Sequence, residues 1–234
     1  MLLRIVFSMT FALVISIGCI DCKGIPNIDH QTKQNKKTTL ETIEDMGLTF
    51  DKEKPILETH LNQEDIISYR GVALEKNHSY TSEIKAKGFG SFAKSLFAKG
   101  LSKACNEKKP NIKDHRGFGG LFQSRGIIST SKSLSVAATF SKKEDEYNHR
   151  VVKKQAGIIM VIFNPEKTAI DINRIYEHYE DTSDSLWNEE QELGRVSNIP
   201  AKHILGIYFI NEDGIVTDFK SNPKAETAET KWEA

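Results

Sequence analysis

Residues 188–200, which read N-E-E-Q-E-L-G-R-V-S-N-I-P, place three glutamates just ahead of an apolar stretch. Glu190 and Glu192 stand two positions apart, so their carboxylates would project to the same side of an extended backbone. Two such carboxylates can accept a proton or stabilise a developing positive charge. The competing interpretation is a solvated acidic cluster, and it suits Glu189, to which no chemical role is assigned.

Three other groups of polar residues could take part in chemistry. Arg70 follows Tyr69 in an alternating apolar stretch, the run Ser129-Thr130-Ser131 ends another such stretch, and a glycine-rich loop carries Asp114 and His115. Each has a simple structural explanation: an ion-paired arginine, hydroxyls that bind the backbone at a strand end, and a loop histidine. Taken singly, none of them indicates a function.

The segments that must position these side chains predict a mixed α+β domain, with an early strand and helices followed by a strand-rich second half. Alternating or continuous apolar runs predict strands, and helical spacing of apolar residues predicts helices. The predicted strands cover residues 65–74, 124–131, 156–165, 201–210 and 214–219. The predicted helices cover residues 81–88, 89–104 and 133–141.

Composition excludes several classes of protein. The 234 residues include 32 basic and 32 acidic side chains, and this balance argues against a protein that wraps nucleic acid. The apolar fraction of 38% and the charged fraction of 27% suit a globular domain. The three cysteines, Cys19, Cys22 and Cys105, are too few for a disulfide-rich scaffold and lack the spacing of a zinc site, so no metal is expected.

The N-terminal sequence MLLRIVFSMTFALVISIGC predicts a signal peptide and therefore a secreted protein. Its apolar run, Ile5 to Ile17, is too short for a comfortable membrane span, and the small residues Ser16 and Gly18 favour cleavage near 18–22. Two alternatives stay open, a membrane anchor and lipidation of Cys19. The predicted divisions of the chain are a signal peptide at 1–22, a polar lead-in at 23–62, the catalytic domain at 63–222 and a flexible tail at 223–234.

In this order the motifs resemble those of bacterial mono-ADP-ribosyltransferases, and most closely those of the cholera toxin and heat-labile enterotoxin A chains, with pertussis toxin more distant. The matching segments are SEIKAKG, DHRGFGGLFQSRGIISTSKSL and EQELGRVSNIPAKHILGIYFI. The resemblance implies the ADP-ribosyltransferase fold, with two packed, mostly antiparallel sheets and peripheral helices around an NAD cleft. NAD would be a substrate, cleaved between ribose and nicotinamide.

The resemblance also implies roles for individual residues. Arg70 would bind the pyrophosphate of NAD, for which its planar fork is suited. Glu192 would stabilise the oxocarbenium-like ribose, Glu190 would take a proton from the incoming nucleophile, and Ser129 would hold the Glu192 carboxylate. Tyr69, Asp114, His115, Thr130 and Ser131 would contribute to cofactor binding, with Thr130 and Ser131 also supporting their strand.

Three aromatic residues have weaker assignments. Phe140 could face the nicotinamide, although a core position is the preferred interpretation. Tyr179 and Trp187 are expected on the turn before Glu190, where transferases of this kind contact their protein target.

The resemblance bears on acceptor and partners as well. Glutamate at position 190 accompanies transfer to arginine in the family, so a host protein arginine is the expected acceptor. A guanidinium is a poor nucleophile while protonated, which fits the need for a carboxylate there. Modification of a guanine base, plain NAD hydrolysis and a non-catalytic binding domain remain alternatives. A separate binding or delivery subunit is left open.

Overall fold

The apolar stretches of the sequence form an antiparallel sheet flanked by helices. The computed structural model of the chain describes residues 48–51, 53–102, 112–113, 127–142, 155–179, 191–196 and 198–226, which lie in the unit Lys36–Ala234. The strands are β1 (Thr49–Asp51), β2 (Lys54–Pro55), β3 (Ile66–Ala73), β4 (Leu101–Ser102), β5 (Ile127–Ser131), β6 (Gly157–Asn164), β7 (Ile170–Asp171), β8 (Glu192–Val196), β9 (Asn198–Ile199), β10 (Ile204–Ile210) and β11 (Val216–Ser221). The helices are α1 (Ser79–Lys87), α2 (Phe89–Lys99), α3 (Leu134–Lys142) and α4 (Ile172–Tyr179), with short 3-10 helices at Glu58–His60 and Ala201–His203.

Seven strands form one hydrogen-bonded sheet in the order β11-β10-β6-β3-β5-β8-β7. Every pair is antiparallel, and β1-β2 and β4-β9 form two further two-stranded sheets. The seven strands divide into a four-stranded part, β11 to β3, and a three-stranded part, β5 to β7, joined at a single residue pair. The predicted α+β class with antiparallel sheets and peripheral helices is confirmed.

Strand β6 is apolar up to its last residue, Asn164, because both of its faces are covered. Met160 and Ile162 point into the core cluster that also contains Phe92 and Leu96 of α2. Ile159, on the opposite face by alternation, packs with Ala137 of α3. The apolar face of α2 therefore lies in the core.

Helix α3 differs from the sequence prediction in one side chain. Phe140 was expected in the core, yet 55% of it is exposed to solvent. The core contacts of α3 are made by small residues such as Ala137, because the helix backbone lies directly on the sheet and leaves no depth for a large ring.

Two glycines on neighbouring strands allow this close approach. A Cβ atom at Gly71 would lie 1.8 Å from the Ala137 carbonyl oxygen, and one at Gly157 would lie 2.1 Å from that of Ser141. Both contacts involve backbone, which cannot rotate away. The position of α3 on the sheet therefore requires glycine at both sites. The position of the end of β5, which comes just before this helix, depends on the same two glycines.

The substitution Gly71→Ala is expected to lower the free energy of unfolding by about 1–3 kcal/mol or more, because α3 must shift to admit the methyl group. The matched control is Gly90→Ala in α2, where the nearest atom would be a lysine side-chain carbon at 3.9 Å. That control is expected to be neutral or stabilising by up to about 1 kcal/mol, because alanine is the better helix former. Urea denaturation measures both, and equal effects of the two substitutions would contradict the close packing.

Residues 48–62 belong to the folded unit, whereas the sequence interpretation placed them in a polar lead-in. Leu48, Phe50 and Leu61 are buried in a second core cluster with Ile172 and Ile175 of α4. These apolar residues are separated by polar ones and have no regular period, so the sequence pattern did not mark them. Residues 1–47 lie outside the described part of the chain, as do the predicted signal peptide and all three cysteines.

Two buried histidines have lowered pKa values. His60 accepts a hydrogen bond at Nδ1 from the Leu57 N–H at 3.0 Å, and its Nε2 therefore donates to Nδ1 of His178 at 2.7 Å. Burial lowers the pKa of His60, and the nearby His178 adds to this. Burial likewise lowers the pKa of His203 to about 4, and the charge of Arg195 contributes in the same direction.

A histidine with a lowered pKa destabilises the folded state in acid. Below pH 6.5 the unfolded chain binds a proton at His203 that the folded chain does not bind. The effect of His203 on the free energy of unfolding is therefore absent above pH 6.5, and that free energy declines as the pH falls toward about 4. We expect His203 to account for about 1–3 kcal/mol of that decline. In His203→Gln, the difference in unfolding free energy between pH 7 and pH 4.5 should shrink, and an unchanged difference would contradict the assignment.

Candidate active site

The two parts of the seven-stranded sheet meet at one residue pair. Strands β3 and β5 pair only through Tyr69 and Ser131, whereas β3 pairs with β6 along its whole length. Strand β5 is likewise paired with β8 along its whole length. Because β3 and β5 share one pair, they diverge on either side of it, and side chains from both parts of the sheet can meet there.

Arg70 bridges the gap beside this pair. Its Nη1 donates a hydrogen bond to the Ser129 carbonyl oxygen at 2.6 Å, which ties β3 to β5. The side chain is surrounded by protein atoms, although part of its surface is open to solvent. Burial lowers the pKa of Arg70, while the nearby Tyr80 and Glu192 act in the opposite direction. The guanidinium and the Glu192 carboxylate thus lie within electrostatic reach of each other.

Glu192 is the first residue of β8 and is 7% exposed. It pairs with Ser131 in register, and Ser129 pairs with Gly194. Opposite residues of antiparallel strands share a face, so Ser129, Ser131 and Glu192 project to the same side. Ser131 is directly opposite the glutamate and Ser129 is its diagonal neighbour, with no side chain at Gly194 between them.

Thr130 and Tyr69 have supporting positions. The buried Thr130 hydroxyl donates to the Leu193 carbonyl oxygen at 3.1 Å, which reinforces the pairing of β5 with β8. Tyr69 packs against the cluster under α3, and burial raises its pKa. A direct contact of either residue with a cofactor stays a prediction.

The backbone between the two predicted glutamates is not extended. Gln191 has a φ of 45°, in the left-handed region that non-glycine residues rarely adopt. Alternation of an extended strand therefore does not relate Glu190 to Glu192, and that premise of the sequence prediction is wrong. Glu190, Asp114 and His115 lie outside the described residues, as does Trp187.

Tyr179 ends helix α4 and is not on a turn, contrary to the sequence prediction. Its ring stacks on Phe50 at a centroid distance of 5.2 Å, and its hydroxyl donates to the Pro55 carbonyl oxygen at 2.6 Å. These contacts tie the end of α4 to β1 and β2. A role of Tyr179 in packing explains its half-buried position.

Several residues near the site were not singled out by the sequence. Tyr80 and His78 lie at the start of α1, near Arg70. Burial raises the pKa of Tyr80, and the positive charge of Arg70 opposes that rise. Burial lowers the pKa of His78, and the charge of Arg70 acts in the same direction. Asn173 and Lys132 contact the segment around Glu192 directly. Nothing in their spacing marks them, because each is brought to the site by tertiary packing.

The described part of the chain contains no group of three or more His, Cys, Asp or Glu side chains placed to bind a metal ion. Within the same residues, none of the helices has the length and apolar character needed to cross a membrane.

Among known proteins, similar chains are found in solved structures, and those described below include ADP-ribosyltransferases. No protein family model matches the chain, and no curated protein sequence matches it. A variant of the scabin toxin from Streptomyces scabies is 13% identical over 69% of this chain and 76% of its own, with a TM-score of 0.45. A guanine-specific ADP-ribosyltransferase is 14% identical over 87% and 99%, with a TM-score of 0.47. A variant of heat-labile enterotoxin, compared through its A subunit, is 19% identical over 68% and 75%, with a TM-score of 0.39. With identity and TM-score this low, a function for the chain must be inferred from its own residues.

Proposed function

We propose that the chain is a mono-ADP-ribosyltransferase that cleaves NAD and transfers ADP-ribose to an arginine of a host protein. The observation that supports this best is the hydrogen bond from Arg70 to Ser129 at the joint between the two parts of the sheet, on the strand that pairs with Glu192 of β8. The three residues come from three strands, and the motif order had predicted that they act together.

The chemistry of these groups suits NAD. The Arg70 guanidinium carries five N–H donors in a plane and can pair with pyrophosphate oxygens while one N–H holds Ser129. The Glu192 carboxylate has little exposure to water, so its negative charge acts strongly on a nearby cation. One group thus suits the phosphates and the other suits the ribose.

The proposed reaction has two bond changes. The bond between ribose C1 and the nicotinamide nitrogen breaks, its electron pair leaves with nicotinamide, and Glu192 stabilises the positive ribose. A nitrogen of the acceptor guanidinium then bonds to C1 and gives up a proton, which Glu190 accepts in this proposal. The products are nicotinamide, ADP-ribosylated arginine and one proton.

The test is an assay of the full chain with NAD labelled in its adenosine part. Nicotinamide release is measured together with transfer of label to agmatine, to guanosine and to proteins of a host-cell lysate. Label on agmatine or on protein arginine supports the proposal. Label on guanosine alone would indicate a nucleobase-directed enzyme, release without transfer would indicate a glycohydrolase, and the absence of any turnover would overturn an enzymatic role.

The proposal includes export, which rests on the N-terminal sequence pattern. N-terminal sequencing of the protein recovered from the culture medium tests it. A mature N-terminus within residues 19–23 supports signal cleavage, whereas protein retained in the cell with Met1 intact contradicts it.

A further inference from the structure

The peptide group between Gln191 and Glu192 is held at both of its polar ends. Its carbonyl oxygen, on Gln191, accepts a hydrogen bond from the Lys132 N–H at 3.0 Å. Its N–H, on Glu192, donates to the Asn173 side-chain oxygen at 3.2 Å. Two hydrogen bonds on opposite edges fix the plane of a peptide group, because that group is rigid.

This fixed plane explains how Gln191 keeps a left-handed conformation. A non-glycine residue at a φ of 45° is strained and persists only when its surroundings hold it. Gln191 is exposed, so packing of its side chain does not supply that hold. The two hydrogen bonds of the following peptide group do.

The residues that hold the peptide plane are themselves connected. The Lys132 ammonium binds the buried Asp171 carboxylate at 2.7 Å, and the other oxygen of Asp171 accepts from the Arg174 N–H at 3.3 Å. Asp171 directly precedes α4, and Asn173 is the second residue of that helix. The contacts therefore form a closed ring from the end of β5, through the start of β8, to the start of α4.

We propose that Asn173 is a positioning residue of the active site, which sets the direction of the Glu192 side chain. This inference rests on the proposed function. Asn173 acts on the reaction only through the peptide plane. Because the N–H that Asn173 holds belongs to Glu192 itself, loss of this contact should misplace the carboxylate that would stabilise the ribose cation.

In Asn173→Ala, transfer of ADP-ribose to agmatine is expected to fall about tenfold or more, because small misplacements of a catalytic group have large effects on rate. Nicotinamide release should fall to a similar extent through kcat, because both reactions need the Glu192 carboxylate, whereas KM for NAD should not change. Alanine favours helix, so α4 is expected to remain folded. Asn173→Asp keeps an acceptor oxygen and suits the first turn of a helix, and it should restore most of the transfer.

The matched control is Asn198→Ala, at an exposed position on β9. It should leave both reactions and their ratio unchanged. Hydrogen exchange at the Glu192 amide gives a readout that does not depend on activity. That exchange should be faster in Asn173→Ala than in the wild type, in Asn173→Asp or in Asn198→Ala.

An unchanged exchange rate at the Glu192 amide, or an unchanged kcat for nicotinamide release in Asn173→Ala, would overturn the inference. So would an aspartate variant that behaves like the alanine variant. Failure of the proposed function is distinguishable, because a wild-type chain without NAD turnover would refute a role in transfer while hydrogen exchange still decides whether Asn173 holds the peptide plane.

Discussion

The substitution Glu192→Gln is expected to lower nicotinamide release from NAD by about 100- to 1000-fold. Glutamine keeps the shape of the side chain but lacks the negative charge that would stabilise the developing ribose cation, and loss of one such electrostatic group has effects of this size. The defect should lie in kcat, with KM for NAD little changed, because the charge acts mainly on the transition state. Steady-state measurement of nicotinamide release gives both constants.

The control for Glu192 is Glu177→Gln, at an exposed position on α4. It removes the same charge from the same part of the molecule and is expected to leave nicotinamide release unchanged. Thermal unfolding of both variants separates loss of chemistry from loss of fold. Release within about threefold of wild type in a folded Glu192→Gln variant would show that this carboxylate does not serve the reaction.

The second large effect is expected from Arg70→Lys, which should lower nicotinamide release more than about 100-fold and also destabilise the protein by about 1–3 kcal/mol. A lysine has no planar fork, so it cannot hold the Ser129 carbonyl oxygen and pair with two phosphate oxygens at once. Loss of the bond to Ser129 loosens the joint between β3 and β5. Denaturant unfolding and KM for NAD report the two consequences separately, and KM should rise.

Arg174→Lys serves as the control, because the Arg174 side chain is exposed and lysine keeps the positive charge that faces the buried Asp171 carboxylate. It should change neither activity nor stability appreciably. A double-mutant cycle between Arg70 and Glu192 adds a test of their proximity. Strictly additive effects of the two substitutions would contradict the electrostatic contact between them.

The elements that the sequence predicted best are those with strong, uninterrupted patterns. Strand β6 is a continuous apolar run, and α2 places Phe92 and Leu96 four positions apart on one face. Helix α4 was missed because its buried residues are only Ile172 and Ile175, in an otherwise polar stretch. Its burial depends on contacts with Phe50 and Leu61, more than 100 positions earlier in the chain, which no local pattern reveals.

The candidate site was predictable to a similar extent. The order of motifs singled out Arg70, Ser129 and Glu192; the described structure joins Arg70 to Ser129 by a hydrogen bond and pairs the strand of Ser129 with that of Glu192, while their roles stay predictions. The register that sets Ser131 opposite Glu192 and the left-handed Gln191 could not be predicted, because both follow from pairing and hydrogen bonds between distant segments.

The joint at Tyr69 and Ser131 has a mechanical consequence. Ladder hydrogen bonds resist shear together when they are many, but β3 and β5 share one residue pair, and the Arg70 side chain adds one hydrogen bond beside it. A force that pulls the two ends of the sheet apart would therefore open this joint first and separate Arg70 from Glu192 while both parts of the sheet stay intact. A bound molecule that contacts both side chains would add connections between the two parts of the sheet. Its binding should therefore raise the force needed to open the joint.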